Sequence, residues 1–204
     1  SFLIPAGSTS FTVSGNVLED LLDELDETVV LTLDPATNAT LGTQSTHTLT
    51  ILDNDAAPVL TFALGSQSVD EGVGGVTTEL ALDAPSGLDV SGTYQISGDA
   101  TAGADYDAFS GSFLIPAGST SFTVSGSVLE DLLDELDETV VLALDPATNA
   151  TLGAQRTHTL TILDNDAAPV LTFALGSQSV DEGVGGITTE LVLDAPSGLD
   201  VSGT

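Results

Sequence analysis

Ser121-Phe122-Thr123-Val124-Ser125-Gly126-Ser127-Val128 decides the fold class of this chain. Phe122, Val124 and Val128 alternate with Ser121, Thr123 and Ser125, the period-two pattern of a strand with one face buried and the other in water. Directly after it, Val128-Leu129-Glu130-Asp131-Leu132-Leu133-Asp134-Glu135-Leu136-Asp137-Glu138 packs six carboxylates into eleven residues without a Lys or Arg. Such crowding costs free energy through mutual repulsion unless water spreads the charges or a cation sits among them. Leu129, Leu132, Leu133 and Leu136 have helical spacing, and on a helix Asp131, Glu135 and Glu138 would share one face. An irregular loop could converge them too, so both geometries stand at this point.

Outward from this stretch the same alternation recurs over residues 59–64, 76–83, 92–97, 109–115, 139–144 and 157–163. Segments 109–115 and 121–128 read as a hairpin across Pro116-Ala117-Gly118-Ser119. Short strands, frequent turns and no long helix predict an all-β fold, an antiparallel two-sheet immunoglobulin-like β-sandwich.

Shifting the chain by 111 positions superposes residues 1–93 on 112–204, and only six of those positions differ. They are Asn16/Ser127, Thr32/Ala143, Thr43/Ala154, Ser45/Arg156, Val76/Ile187 and Ala81/Val192, so every acidic residue is retained. Near-identity at a fixed period points to a tandem array. The joints expected are Ala56-Ala57-Pro58 and Ala167-Ala168-Pro169, because proline cannot donate to a sheet ladder. Residues 57–167 then form one complete repeat, 1–56 the back part of a preceding one and 168–204 the front part of the next, a window cut from a longer polypeptide.

One basic residue stands against thirty-one acidic ones, for a formal charge of −30. Nucleic acid is excluded as a partner, since phosphate would be repelled and no basic patch exists to hold it. Anionic membrane surfaces are disfavoured for the same reason, and no apolar run reaches the length of a membrane helix. A hydrophobic content of 41% argues against disorder despite the charge. Cysteine is absent, so neither disulfides nor thiolate metal sites can staple the fold. A divalent cation could. Calcium takes six to eight hard oxygen ligands in flexible geometry, which suits the carboxylates of 130–138 together with Asp164-Asn165-Asp166.

Five motifs, in order, give the repeat a family likeness. They are Ser68-Val69-Asp70-Glu71-Gly72, Ala100-Thr101-Ala102-Gly103-Ala104-Asp105-Tyr106, Phe113-Leu114-Ile115-Pro116-Ala117-Gly118, Glu130 to Glu138 running into Thr139-Val140-Val141-Leu142, and Leu160-Thr161-Ile162-Leu163-Asp164-Asn165-Asp166. Across residues 57–167 the chain resembles the Calx-beta domain of sodium–calcium exchangers and large bacterial surface proteins. The resemblance implies calcium ligands from loops at one end of the sandwich, and nominates Glu71, Asp105, Asp131, Glu135, Glu138, Asp164 and Asp166. The preceding copy offers Asp20, Glu24, Glu27, Asp53 and Asp55, and the following one Glu182 alone, so only the central site is expected to be complete.

Blander readings apply to the same residues. A charge run is usually a solvated face, and Asp-Asn-Asp is a natural Asx-type turn. His47 and His158 have no nucleophilic or second-histidine partner in the sequence and read as strand residues without chemistry. No Gly-x-Ser-x-Gly elbow is present, and a glycosidase's aromatic platforms are missing in a chain without Trp and with two Tyr. The expectation is no enzyme. It is a secreted, calcium-binding structural repeat of an extracellular fibre, stalk or adhesin shaft at the cell surface or in the matrix. Its partners are neighbouring repeats of the same chain or, head to tail, other copies forming a filament. The alternative is a calcium-sensing or ligand-binding module of a cell-surface protein.

Overall fold

Apolar residues at every second position can bury one face only if a second sheet covers it. The chain answers that demand fully once. The structure, a computed structural model, describes residues 1–107 and 109–204. It divides into two compact units, 1–56 and 57–204.

The first unit is a single antiparallel pair, β1 (Glu27–Thr32) and β2 (Thr46–Ile51), with Glu27 opposite Ile51 and Thr32 opposite Thr46. Val29, Leu31 and Leu49 are exposed, so this ladder carries a bare apolar face.

The second unit holds twelve strands among the described residues. In chain order they are β3 (Val59–Phe62), β4 (Ser66–Asp70), β5 (Gly74–Leu82), β6 (Val90–Gly98), β7 (Tyr106–Asp107) and β8 (Ser112–Ile115). Then come β9 (Ser121–Val128), β10 (Glu138–Leu144), β11 (Thr151–Leu152), β12 (Thr157–Leu163), β13 (Leu171–Phe173) and β14 (Leu191–Leu193). One sheet runs β4-β12-β10-β6-β8 and the other β11-β3-β5-β9-β7. Their inner faces share one core, in which Leu60, Phe62, Leu80, Val124, Val140, Leu142 and Leu160 are essentially inaccessible to water.

The sandwich is therefore as expected, with three differences. Strands β8 and β9 do not form a hairpin: β8 pairs with β6 and β9 with β5, so the turn at 116–120 carries the chain from one sheet to the other. Alternation marks the buried face of both strands but cannot say which sheet each belongs to. Between β3 and β4 the chain crosses from one sheet to the other a second time, after which β4 joins β12 in parallel. A parallel β11–β3 pair closes the other sheet, so antiparallel order holds for the inner strands and not for these two edges. Both edge strands lack the strong alternation that would have announced them.

His158 is more than a strand residue. It is buried, with Nδ1 2.8 Å from the Leu64 carbonyl oxygen and 3.3 Å from Thr78 Oγ1, which ties β12 to the β3–β4 crossing and to the facing sheet. His47, at the same place in the first unit, is exposed.

A carboxylate pole at one end of the sandwich

The ends of β4, β9 and β12 and the loops beside them meet at one pole, and backbone hydrogen bonds fix their relative positions. Glu71 N–H donates to Leu163 O at 2.9 Å, Gly72 N–H to Leu129 O at 3.2 Å and Leu129 N–H to Asp105 O at 2.9 Å. Three loops far apart in sequence are thereby stitched together before any side chain is considered. Gly72 has φ +70°, so the turn needs glycine for its conformation, and a Cβ there would also push aside the Glu130 carboxylate, whose Oε2 would lie 1.7 Å away.

Two groups of three carboxylates form on this frame. Glu71, Asp164 and Asp166 each offer an oxygen within 4.8 Å of the others, and so do Asp105, Glu135 and Glu138. One small pocket is lined by Glu71, Asp105, Glu135, Glu138 and Asp164, so the two groups face a common space. Residues 129–137 contain no helix. The helical geometry would have stacked like charges one turn apart, as Asp131 on Glu135 and Asp134 on Glu138, and the leucines did not offset that cost. Leu132 and Leu136 are exposed instead.

Six of the seven nominated residues are in these groups. Asp131 is not: its Oδ1 accepts the Leu133 N–H at 2.7 Å, an Asx turn that shapes the loop. It still adds negative charge beside Glu71, Glu135 and Asp166. Other residues that sequence reasoning left outside the site brace it. Asn165 Nδ2 donates to the Glu71 carbonyl oxygen at 3.1 Å and to Glu130 Oε2 at 3.5 Å. Asp137 Oδ1 accepts the Asp164 N–H at 3.3 Å. Asp99 Oδ1 accepts from the N–H and hydroxyl of Thr139, at 2.6 and 2.5 Å, and these bonds hold its pKa down. The clue was available for Asn165, since a lone neutral donor among aspartates can satisfy several acceptors.

In the first unit the local braces repeat: Leu22 N–H to Asp20 Oδ1 at 2.9 Å, Asp53 N–H to Asp26 Oδ1 at 3.1 Å and Asn54 Nδ2 to Glu19 Oε1 at 3.2 Å. Yet among the described residues Asp20, Glu24, Glu27, Asp53 and Asp55 form no group of three close enough to hold an ion, and neither does Glu182, which is exposed. The reason is the same in both places: the loop that would complete each group belongs to the other end of the repeat.

The pole has the electrostatics of a cation site. Asp164 Oδ1 and Asp166 Oδ2 are out of water and accept no hydrogen bond, a costly state for carboxylate oxygens without a partner. Burial first, then neighbouring carboxylates, raises the pKa of Glu71, Glu135 and Asp166. Glu138 is pushed up to about 7, by burial first and then by its hydrogen bond with Asp105. Hard oxygen donors with no nitrogen or sulfur fit calcium and do not fit zinc or copper.

A pH dependence follows. Between its ordinary value of 4.5 and about 7, Glu138 binds more proton in the folded than in the unfolded chain. Stability then falls as pH rises through that window, because the folded state loses protons the unfolded state has already lost. In chelator, the urea midpoint should drop from pH 4.5 to 7, and Glu138→Gln should flatten the slope. With calcium present the drop should vanish, since the ion replaces the proton. A wild-type midpoint that climbs with pH in chelator contradicts this electrostatic picture.

The Calx-beta domain model matches residues 53–166. Among solved structures, the chain is similar to the apo-form Calx CBD1 domain, with 24% identity and TM-score 0.51 over 54% of this chain and 100% of that one. The CBD12 structure from CALX1.2 matches at 24% identity and TM-score 0.50, over 62% of this chain and 52% of that one. The calcium binding domain CBD12 of CALX1.1 matches at 25% identity and TM-score 0.50, over 62% and 52%. The chain thus spans about half the length of the two CBD12 structures. No curated protein matches it.

Proposed function

The chain belongs to the Calx-beta family, and from that premise we propose that it is a structural, calcium-binding part of a long extracellular fibre, stalk or adhesin shaft. Calcium stiffens each sandwich and its joint to the next. The observation that carries this reading is the convergence of two carboxylate triads at one pole, with two buried oxygens left unpaired. Glu71, Asp164 and Asp166 hold one side of the ion cluster and Asp105, Glu135 and Glu138 the other.

The pole lies at the joint with the next copy. Asp134 bridges to Ser197, and the Gly198 N–H donates to Asp134 O at 3.2 Å. An ion on Glu135 therefore sits in the loop that the following copy touches. Ala167-Ala168-Pro169 is too short a connection to be slack. Millimolar calcium outside cells would fill even a weak site, and copies this alike suit a spacer better than a sensor. The reading divides the chain into a complete repeat, 57–167, flanked by parts of its neighbours, and places it at the cell surface or in the matrix. Catalysis has no part in it.

Small-angle scattering tests the joint. Adding calcium should sharpen the long-distance end of the pair-distance distribution, and Glu135→Gln should remove that sharpening. Micromolar affinity with a rearrangement inside residues 57–167 would instead favour the sensing alternative.

A further inference from the structure

The loop that follows β14 touches the carboxylate pole at one of its ligands. Within the second unit the Gly198 N–H donates to Asp134 O at 3.2 Å, and Asp134 forms an isolated bridge with Ser197. The approach is closer still at the neighbouring side chain. A Cβ at position 198 would lie 2.4 Å from Glu135 Oε1 and 2.5 Å from Glu135 Cγ, so only glycine leaves the Glu135 carboxylate where it stands. That carboxylate is one corner of the triad with Asp105 and Glu138.

The touching loop is held in shape by its own residues. Leu199 N–H donates to Ser197 Oγ at 3.1 Å, Val170 N–H to Asp194 Oδ1 at 2.7 Å and Asp194 N–H to Val170 O at 3.2 Å. Its counterpart in the complete copy has the same bonds: Leu88 to Ser86 at 3.0 Å, Val59 to Asp83 at 2.7 Å and Asp83 to Val59 at 3.2 Å. The loop is thus built alike in both copies. The counterpart follows β5 at the end where Ala81 pairs with Ser121, whereas the pole lies at the end where Gly74 pairs with Val128. A copy carries its carboxylates at one end and its glycine loop at the other.

We infer that Gly198 is a positioning residue for calcium: the copy that follows holds Glu135 in its triad, so a site reaches full affinity only with the next copy seated on it. A glutamate side chain is rich in rotamers, and one placed among like charges swings outward unless something blocks it. The Gly198 backbone lies against Glu135 and confines it, which lowers the cost of ordering the ligand when the ion arrives. By linkage, the ion strengthens the joint by the same factor as the joint strengthens the ion. The coupling has a direction, because Gly87, the counterpart of Gly198, lies at the far end from the central pole. A copy without a successor is the weakest binder. This inference rests on the calcium reading above and adds to it the residue of the next copy that sets the affinity.

Calcium titration calorimetry of the full chain tests it. Gly198 is not among the residues with positive φ, and the atoms a Cβ would displace belong to a flexible side chain. Gly198→Ala should therefore keep the fold, with unfolding in chelator as in wild type, and move the carboxylate alone. It should weaken calcium binding about tenfold, the effect of losing a group that orients a metal ligand. Gly87→Ala, the same change at the far end, should leave the affinity as it is. In a Glu135→Ala background Gly198→Ala should add nothing, because no side chain is left to displace. The Gly198 amide of the wild type should exchange about tenfold more slowly in calcium than in chelator. Equal affinity in wild type and Gly198→Ala, an undiminished loss in the Glu135→Ala background, or amide exchange indifferent to calcium overturns the coupling and leaves the calcium reading standing. A wild-type chain that takes up no calcium overturns both.

Discussion

Leu142→Ala should lower the unfolding free energy of the complete sandwich by about 2–5 kcal/mol, while Leu31→Ala should cost less than about 1 kcal/mol in dilute, monomeric protein. The two leucines occupy the same place in the 111-residue period, on strands with the same register. Leu142 lies in the shared core, 1% exposed, and truncating it leaves a cavity that the surrounding side chains cannot fully close. Leu31 has no facing sheet within the described residues of its unit, so its truncation removes little buried contact. Urea unfolding followed by circular dichroism reads the difference. Comparable costs would mean that both copies of the face are covered in the monomer.

Gly98→Ala should be the most damaging single change near the pole, costing about 3 kcal/mol or more and weakening calcium binding at least tenfold. Gly98 has φ +131°, and a Cβ would lie 2.0 Å from the carbonyl oxygen of Thr139. That oxygen is backbone in the middle of a sheet, so the strand itself must shift. Gly98 also adjoins Asp99, which holds Thr139, and Thr139 adjoins Glu138 of the second triad. Displacing that edge pulls Glu138 away from Asp105 and Glu135. Denaturant unfolding and calcium titration calorimetry report the two effects. A cost under about 1 kcal/mol would show that the strand yields without strain.

Much of this was legible in the sequence because its signals are local. Alternation at Ser121–Val128 and Thr157–Leu163 gave both the strands and their inner faces, including Val124 and Leu160. What alternation lacks is any label for the sheet. The turn at 116–120 therefore read as a hairpin, and the short edges β4 and β11 were invisible, since pairing along one side demands no pattern of burial. For the pole, acid residues at the ends of strands were sufficient to nominate all six members of the two triads. Asp131 lies outside both triads, and its Oδ1 accepts the Leu133 N–H, a contact that spacing does not encode. Asn165, Asp99 and Asp137 act through partners 40 or fewer positions away, or in Asn165's case 94, and no local rule connects such pairs.

Crowded carboxylates also explain why the same acid-rich stretch behaves differently at its two occurrences. Around Asp164 and Asp166 the facing loop with Glu71 is present and oxygens are buried without partners. Around Asp53 and Asp55 it is absent among the described residues of that unit, and the local Asx and backbone ties are all that remain. Local sequence builds the loop; the facing strand end turns it into a site.

The most direct measurement is thermal unfolding of the whole chain in millimolar calcium and in chelator, for wild type and for Asp164→Asn. Calcium at a hundred times its dissociation constant should stabilise the wild-type sandwich by about 2.7 kcal/mol, and the variant should keep only a small part of that gain. Equal midpoints for wild type in calcium and chelator, at matched ionic strength, would contradict the claim that a hard dication holds this pole together.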